Sequence, residues 1–300
     1  MERTFSGITG KFISRIGLGC VTFGREIDKT TSFKIMDHAL KSGITFFDTA
    51  SAYGNGASEY IIGEWLASRY PSSGSILVAT KILPPYDREN ISRSILNSQK
   101  RLGKEVIDLV YFHRWDVSLK NPDPFIVFGD LVSQGKVRMI GASNFNAEQL
   151  AEYFVLQKKY NLPLIRFIQN NNNLAVRDVT EELIDLCSEN GIFIVTYSPL
   201  GAGFLTGKHQ TGVRSGTRFD IIPGHKDIYF NEAAFRRLVK LKSVAIRTGY
   251  SPVHLTLAWA LHQKGVSSIL IGARTTAHID QAMAATAFDV PDIFNELESE

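Results

Sequence analysis

Four side chains able to hold a charge or bind a polar group recur at nearly equal intervals in the first half of this chain. Asp48, Lys81, His113 and Asn144 are separated by 33, 32 and 31 residues, and Tyr53 follows Asp48 by five. Each interval is about the length of one strand plus one helix. Side chains at equivalent ends of successive parallel strands would therefore meet at one edge of a sheet or at one mouth of a barrel.

An acid, an ammonium, an imidazole and a phenol at one mouth indicate proton-transfer chemistry. We expect Asp48 to pair with Lys81 and hold it ionised, and the ammonium to favour the phenolate of Tyr53, lowering a pKa of about 10 in a free phenol. His113 could orient a carbonyl oxygen or assist proton transfer. The set is typical of a site that protonates an oxygen. The alternative chemistry is a Schiff-base aldolase with Lys81 as its nucleophile.

The elements that must position these residues alternate along the chain. Eight short apolar, β-branched runs occupy 16–20, 45–47, 76–79, 107–112, 137–141, 164–168, 192–197 and 268–271. Amphipathic stretches predict helices at 31–42, 58–69, 89–102, 122–134, 147–159, 179–190, 230–248, 252–263 and 276–287. A short β-hairpin is predicted from Arg3–Phe5 and residues 11–14, before the first run. The only long loop, 199–229, is a candidate lid or ligand clamp.

This alternation predicts an α/β fold, a (β/α)8 TIM barrel with an N-terminal β-hairpin at its floor and extra helices near the C-terminus. Residues 1–300 are expected to form a single domain. An open dinucleotide-binding sheet is disfavoured, because Gly17 and Gly19 are followed by Thr22 where the third glycine of G-x-G-x-x-G belongs. The glycine-rich stretch 201–208 lacks the Ser or Thr that completes a phosphate-binding P-loop.

Composition narrows the class of protein. Hydrophobic residues at 44% and charged residues at 21% predict a globular chain with a sizeable core. The net charge of +3 is spread along the chain, so we expect no nucleic-acid partner. No run is long enough to span a membrane, and Cys20 and Cys187 cannot form a disulfide framework, so a cytoplasmic location is expected. The histidines show no metal-ligand spacing, and no metal is predicted.

Seven short motifs occur in the order and at the spacing of a known family. They are Ile16-Gly17-Leu18-Gly19 with Phe23-Gly24, Phe46-Phe47-Asp48-Thr49-Ala50 with Tyr53-Gly54, Ala79-Thr80-Lys81, Phe112-His113, Gly141-Ala142-Ser143-Asn144, Tyr197-Ser198-Pro199-Leu200-Gly201 and Gly272-Ala273-Arg274-Thr275. From about residue 14 to 285 the chain resembles the aldo-keto reductase superfamily. The resemblance implies an oxidoreductase that reduces an aldehyde or ketone with NADPH, the NAD cofactor in its reduced form, NADH, being the alternative.

The resemblance also assigns roles. Asp48, Tyr53, Lys81 and His113 match the catalytic tetrad, with Tyr53 as the proton donor. Ser143, Asn144 and Gln169 match groups that hold the nicotinamide carboxamide, and Tyr197 matches the ring that stacks on nicotinamide. The other matched cofactor positions are Ser198, Leu200, Gly201, Phe204, Leu205, Gly207, Lys208 and Arg218 at the pyrophosphate, and Gly272, Arg274, His278 and Gln281 at the adenosine 2′-phosphate.

The substrate is expected to be a small carbonyl compound. Phe23, Arg25, Tyr86 and Trp115 are the predicted pocket residues, and Arg25 with the asparagine run 170–173 favours a polar or sugar-like compound. The resemblance leaves a second function open, a nucleotide-sensing regulatory subunit with slow chemistry, similar to the potassium-channel β-subunits of the same superfamily. The oligomeric state stays open.

Overall fold

The computed structural model describes residues 3–5, 12–69, 75–209 and 212–299. Its strands are β1 Arg3–Phe5, β2 Phe12–Ser14, β3 Ile16–Gly19, β4 Phe46–Asp48, β5 Leu77–Ile82, β6 Ile107–Phe112, β7 Val137–Ser143, β8 Ile165–Asn171, β9 Phe193–Tyr197 and β10 Val266–Gly272. Its helices are α1 Lys29–Lys41, α2 Ala57–Arg69, α3 Arg88–Leu102, α4 Asp123–Ser133, α5 Ala147–Tyr160, α6 Glu181–Glu189, α7 Arg218–Ile221, α8 Lys226–Tyr229, α9 Glu232–Thr248, α10 Pro252–Leu261, α11 Thr276–Ala285 and α12 Pro291–Glu298. Short 3₁₀ turns cover Tyr53–Gly56, Val117–Lys120, Gly201–Thr206 and Pro223–His225.

Strands β3 to β10 form a closed parallel barrel. Each strand pairs with the next along the chain, and β10 returns to pair with β3. The predicted (β/α)8 barrel is therefore confirmed, with all eight barrel strands and all nine predicted helices present. Chain connectivity of this kind places the carboxyl ends of all eight strands at the same mouth.

Alternation along the strands decides which side chains enter the barrel. Successive strand residues point to opposite faces of a sheet. The apolar cluster in the barrel interior is formed by Ile13, Phe46, Leu77, Ala79, Leu109, Tyr111, Met139, Phe167, Val195 and Leu270. Four polar residues of the mouth each lie two positions after one of these apolar residues and therefore on the same face of its strand. The pairs are Phe46 and Asp48, Ala79 and Lys81, Tyr111 and His113, and Phe167 and Gln169. The polar residues thus form the inward layer above the apolar one.

The predicted hairpin lies at the opposite end of the barrel. β1 pairs antiparallel with β2, and Ile13 of β2 is buried in the interior cluster. The Ser268 hydroxyl donates a hydrogen bond of 2.9 Å to the Ser14 carbonyl, which ties β2 to β10. These contacts confirm the hairpin at the barrel floor, whose residues 6–11 lie outside the described part of the chain.

Three features differ from the sequence-based prediction. Segment 199–229 contains two 3₁₀ turns, α7 and α8 instead of being one long loop. Helix α12 was not predicted, because its apolar residues Phe294 and Leu297 make too short a pattern. Several strands extend further towards the mouth, so that Asp48, Lys81 and Gln169 lie within strands, because the parallel ladder continues into the polar layer. No helix among the described residues is long and apolar enough to cross a membrane.

Candidate active site

A buried ion pair forms the centre of the barrel mouth. Lys81 and Asp48 are only 1% and 2% exposed, and the Lys81 ammonium donates a hydrogen bond to Asp48 Oδ2. It also donates to the Thr49 carbonyl at 3.0 Å and to the Tyr53 hydroxyl oxygen at 3.3 Å. Burial acts to lower the pKa of Lys81, but Asp48 and Tyr53 together outweigh it and raise that pKa. Lys81 is therefore an ammonium that contacts both the acid and the phenol.

Tyr53 lies on a turn whose backbone is unusual. The two residues that follow it, Gly54 and Asn55, have φ of 56° and 53°, and Gly56 has φ of 93°. Left-handed residues in succession reverse the chain sharply. The Tyr53 ring lies over Lys81, whose nitrogen is 5.0 Å from the ring centre, and the turn leads the chain from Tyr53 into α2.

The expected lowering of the Tyr53 pKa is not found. Lys81 acts in the expected direction, but burial has the larger effect, and the pKa of Tyr53 is raised. The reason is that a phenolate loses more hydration on burial than one ammonium at 3.3 Å restores. Tyr53 is thus a protonated phenol at neutral pH in this form of the protein.

His113 completes the group as an uncharged ring. Its ring lies edge-on to Tyr53, with 5.9 Å between ring centres. Burial, Lys81 and Arg114 lower the pKa of His113 to about 3. Its Nδ1 is buried and has no hydrogen-bond partner among the described residues. A neutral imidazole can donate one hydrogen bond and orient an oxygen, but it is not a charged acid at neutral pH.

The three predicted carboxamide-binding residues form hydrogen bonds with one another and with the ion pair. Gln169 donates from its amide to Asp48 Oδ1 at 2.8 Å, and the Ser143 hydroxyl donates to the Gln169 carbonyl at 2.9 Å. Asn144, with φ of 60°, donates to the His113 carbonyl at 3.0 Å and accepts from the Tyr197 hydroxyl at 2.7 Å. The structure therefore brings these residues together with the tetrad at one mouth.

The asparagine run 170–173, from which a polar substrate was expected, forms a buried network behind this layer. The Asn170 side chain accepts from the Asn144 backbone at 3.1 Å and donates to the Phe145 carbonyl at 2.7 Å. Asn173 donates to the Ser198 carbonyl at 3.0 Å. These side chains join the loops that follow β7, β8 and β9. The run of four asparagines was the available signal in the sequence, and it positions loops in this structure.

The segment after β9 presents backbone to the rim. Ser198, Gly201 and Gly207 have φ of 55°, 57° and 75°, and Phe204 and Leu205 are buried. The Phe204 ring packs against Phe230, Phe235 and Tyr229. Its side chain therefore anchors the segment, as does that of Leu205, and only their backbone is available for a ligand. Leu200 is partly buried against the same core.

Positive charge collects between this segment and the start of α11. Burial, Arg274 and Arg214 lower the pKa of Lys208, which indicates that the three cations lie close together. Arg274 donates from its guanidinium to the Gly216 carbonyl at 2.7 Å and from its backbone to His278 Nδ1 at 3.1 Å. Gly272 has no atom within 4 Å of the position a Cβ would take, and Gln281 is exposed on α11. This edge fits an anionic group such as a nucleotide phosphate.

The Glu26 side chain, only 2% exposed, joins three arginines at this edge. It pairs with Arg25 at 2.7 Å, with Arg218 of α7 at 3.2 Å and with Arg274 at 3.8 Å. The carboxylate therefore ties the loop after β3 to α7 and to the loop after β10. The sequence did not indicate Glu26, because Arg218 and Arg274 are far from it in sequence and meet it only in the folded chain. Arg218 reaches Glu26 here, and its predicted contact with the pyrophosphate stays a prediction.

Two of the four predicted substrate-pocket residues are buried. Phe23 is fully buried in the outer core, and Tyr86 is 1% exposed with its hydroxyl donating to the Arg114 carbonyl at 2.8 Å. Both side chains are therefore inaccessible to solvent in this structure, and their place in a substrate pocket stays a prediction. Trp115 is half-buried with its ring 5.2 Å from that of Phe145, and Arg25 is exposed. Arg25 is already paired with Glu26, which weakens its case as the cation of the substrate pocket.

Comparisons with known proteins agree with this geometry. The model of the Aldo/keto reductase family matches residues 15–296. The chain is 31% identical to the uncharacterized oxidoreductase YrpG of Bacillus subtilis, covering 95% of this chain and 91% of that protein. It is also 31% identical to the putative aryl-alcohol dehydrogenase AAD16 of Saccharomyces cerevisiae, covering 93% and 90% of the two chains. A probable voltage-gated potassium channel subunit beta of Arabidopsis thaliana is 29% identical, covering 93% and 89%.

Proposed function

The chain belongs to the aldo/keto reductase family, and we propose that this oxidoreductase reduces an aldehyde or ketone to the alcohol with NADPH as the reductant. The observation that carries the proposal is the Lys81 ammonium, which contacts the Asp48 carboxylate and the Tyr53 hydroxyl together. A protonated phenol beside a fixed ammonium is suited to give its proton to a carbonyl oxygen.

Each residue of the mouth then has a defined task. Tyr53 releases its proton to the substrate oxygen, and Lys81 stabilises the phenolate that this leaves. Asp48, held by Gln169, keeps Lys81 charged and in place. His113, uncharged at neutral pH, orients the carbonyl oxygen by a hydrogen bond. A bound nicotinamide supplies the hydride for the carbonyl carbon.

The residues proposed to hold the dinucleotide come from the carboxyl ends of β7 to β10 and from the segments that follow them. Ser143, Asn144 and Gln169 offer hydrogen bonds to a carboxamide, and Tyr197 offers a ring for stacking. The segment from Ser198 through Lys208 would bind the pyrophosphate with backbone groups and one ammonium. Arg274 would pair with a 2′-phosphate, which is the reason to favour NADPH over NADH.

The Schiff-base alternative is opposed by the surroundings of Lys81. Imine formation needs a neutral amine with a free lone pair. The Asp48 carboxylate, the Thr49 carbonyl and the Tyr53 oxygen all accept hydrogen bonds from this nitrogen, and its pKa is raised. These contacts favour the ammonium.

The test combines turnover with nucleotide binding. Purified protein, NADPH and a panel of aldehydes and ketones should show loss of the near-ultraviolet absorbance of the reduced nicotinamide. Tyr53→Phe should reduce kcat by roughly a hundredfold or more, the size of a general-acid contribution, and leave the Kd for NADPH unchanged. Tyr60→Phe, which alters an exposed tyrosine on α2, is the matched control. An active Tyr53→Phe enzyme, or one that no longer binds nucleotide, would contradict the role of Tyr53.

A second candidate function is a nucleotide-sensing regulatory subunit with slow chemistry. It is favoured by the resemblance to proteins named as potassium-channel β-subunits, 29% and 28% identical in two plants. Turnover that stays slow on every carbonyl tested, beside tight NADPH binding and co-purification with a membrane protein, would support it. Fast turnover by the isolated protein would exclude it.

A further inference from the structure

His209 is a buried imidazole with one unused nitrogen beside the predicted pyrophosphate segment. The residue is only 3% exposed. Its Nδ1 accepts a hydrogen bond of 3.5 Å from the Arg214 backbone, so the ring proton belongs on Nε2. That Nε2 is buried and has no hydrogen-bond partner among the described residues. A buried donor without an acceptor is costly, and such a group calls for a partner that the folded chain does not itself provide.

The unused donor lies beside Gly203, at a narrow space that a side chain at residue 203 would enter and that we call the notch. Gly203 has φ of 95°, and a Cβ built on it would lie 4.0 Å from His209 Nε2 and 3.3 Å from the Lys208 ammonium. Two donors therefore converge on the space that a side chain would fill. The carbon end of Lys208 covers this space, and a lysine side chain turns readily about its four-carbon stem.

The charge around the notch favours an anion. Lys208 forms no ion pair within the described part of the chain, and Arg214 and Arg274 lie close enough to act on its charge. The aromatic rings of Phe219 and Phe230 pack against the imidazole, with 5.0 Å and 6.4 Å between ring centres. These contacts hold the imidazole in place. Once the Lys208 side chain turns away from Gly203, a phosphate oxygen that enters the notch could approach both donors and accept hydrogen bonds from them.

We propose that His209 is a nucleotide-binding residue, whose Nε2–H donates to a pyrophosphate oxygen of the dinucleotide together with Lys208. The pyrophosphate is chosen over the 2′-phosphate because the notch lies within the Ser198–Lys208 segment and not at the start of α11. The inference rests on the proposed function, since it concerns the cofactor of that same site. Neither the family motifs nor the asparagine network includes this residue.

The test measures nucleotide binding and not turnover. His209→Phe keeps an aromatic ring between Phe219 and Phe230 and removes the donor, and His209→Gln restores an N–H of similar reach. The control is His254→Phe, because His254 also has a buried Nε2 without a partner in the described chain and packs on aromatic rings, but lies on α10. We expect His209→Phe to raise the Kd for NADP⁺ about tenfold, the size of one hydrogen bond to a charged group. His209→Gln should recover part of this loss, and His254→Phe should bind as the unaltered protein does.

Phosphorus NMR of bound NADP⁺ identifies the phosphate concerned. In His209→Phe we expect the two pyrophosphate resonances to move and the 2′-phosphate resonance to stay in place. A Kd within twofold of that of the unaltered protein, or a change confined to the 2′-phosphate, would overturn the inference. Failure of the unaltered protein to bind NADP⁺ would instead refute the proposed function.

A measurement on the unaltered protein covers the case in which the variants do not fold. Nitrogen-15 NMR of the histidine rings should show His209 protonated on Nε2, and inorganic pyrophosphate at saturation should shift that resonance. An unchanged His209 resonance, with other residues at the rim shifting, would overturn the assignment.

Discussion

Replacing Lys81 by Met tests the central ion pair, because it leaves the Asp48 carboxylate buried beside an apolar side chain. The one side-chain hydrogen bond to the Asp48 carboxylate that would remain among the described residues is that from the Gln169 amide to Oδ1, at 2.8 Å. Breaking one partner of a buried pair costs about 3–5 kcal/mol of unfolding free energy. That is a large part of the roughly 5–15 kcal/mol that stabilises a folded domain. We expect Lys81→Met to fold with this loss and to lose most turnover.

The loss of unfolding free energy in Lys81→Met should depend on pH, because Asp48 loses the charge that kept it ionised. Burial raises the pKa of Asp48, and Lys81 opposes that effect. Without Lys81 the folded variant holds a proton that the unfolded chain releases above about pH 4. Stability of the variant should therefore fall as pH rises from about 4 through the raised pKa of Asp48. Lys81→Met should be closer to the unaltered protein at pH 5 than at pH 8.

The assay is urea unfolding of a double-mutant cycle at both pH values. Asp48→Asn in the Lys81→Met background removes the buried charge, so it should recover stability and abolish the added pH dependence. The coupling of the two sites should exceed about 1 kcal/mol, as for residues in direct contact. Additive losses, or a double variant no more stable than Lys81→Met at pH 8, would refute the assignment of a buried charged pair.

Three further predictions concern His113, Arg274 and Glu26. Because the pKa of His113 is lowered to about 3, the kcat for carbonyl reduction should be flat between pH 5 and 8, and a titration of kcat near pH 6.5 that disappears in His113→Gln would contradict a neutral imidazole. Arg274→Met should raise the Kd for NADPH roughly tenfold and leave that for NADH unchanged, as measured by calorimetry, since its guanidinium suits the 2′-phosphate. Glu26→Gln should speed hydrogen exchange in Arg218–Ile221, because the ion pair with Arg218 is lost, and equal exchange rates would show that the lid is held by other contacts.

Much of the active site could be predicted from sequence because strand geometry is regular. Asp48, Lys81 and His113 follow apolar inward positions by two residues, and the interval of about 32 residues repeats the βα unit. Their meeting at one mouth followed from that pattern. The Tyr53 pKa could not be predicted in the same way, since burial and the ammonium act in opposite directions and their balance depends on distances.

The residues between the segment after β9 and the start of α11 were also predicted only in part. Lys208 and Arg274 were found by motif, but Glu26 and His209 were not, because their partners lie far away in sequence or are contributed by a loop. Phe23 and Tyr86 were predicted as pocket residues from their positions in the sequence, and both side chains are buried in the folded chain. Side-chain direction in loops is set by neighbouring elements and has no period in the sequence.

The sequence by itself determined the barrel, the order of its elements and the inward placement of the tetrad, because these depend on local periodicity and chain connectivity. The tertiary structure alone decided that Lys81 is a bound ammonium, that Tyr53 and His113 are uncharged at neutral pH, and that Glu26 joins three loops. Those properties are set by burial and by charges brought together over long stretches of chain, and the free energy of a charge depends on everything within a few ångströms of it.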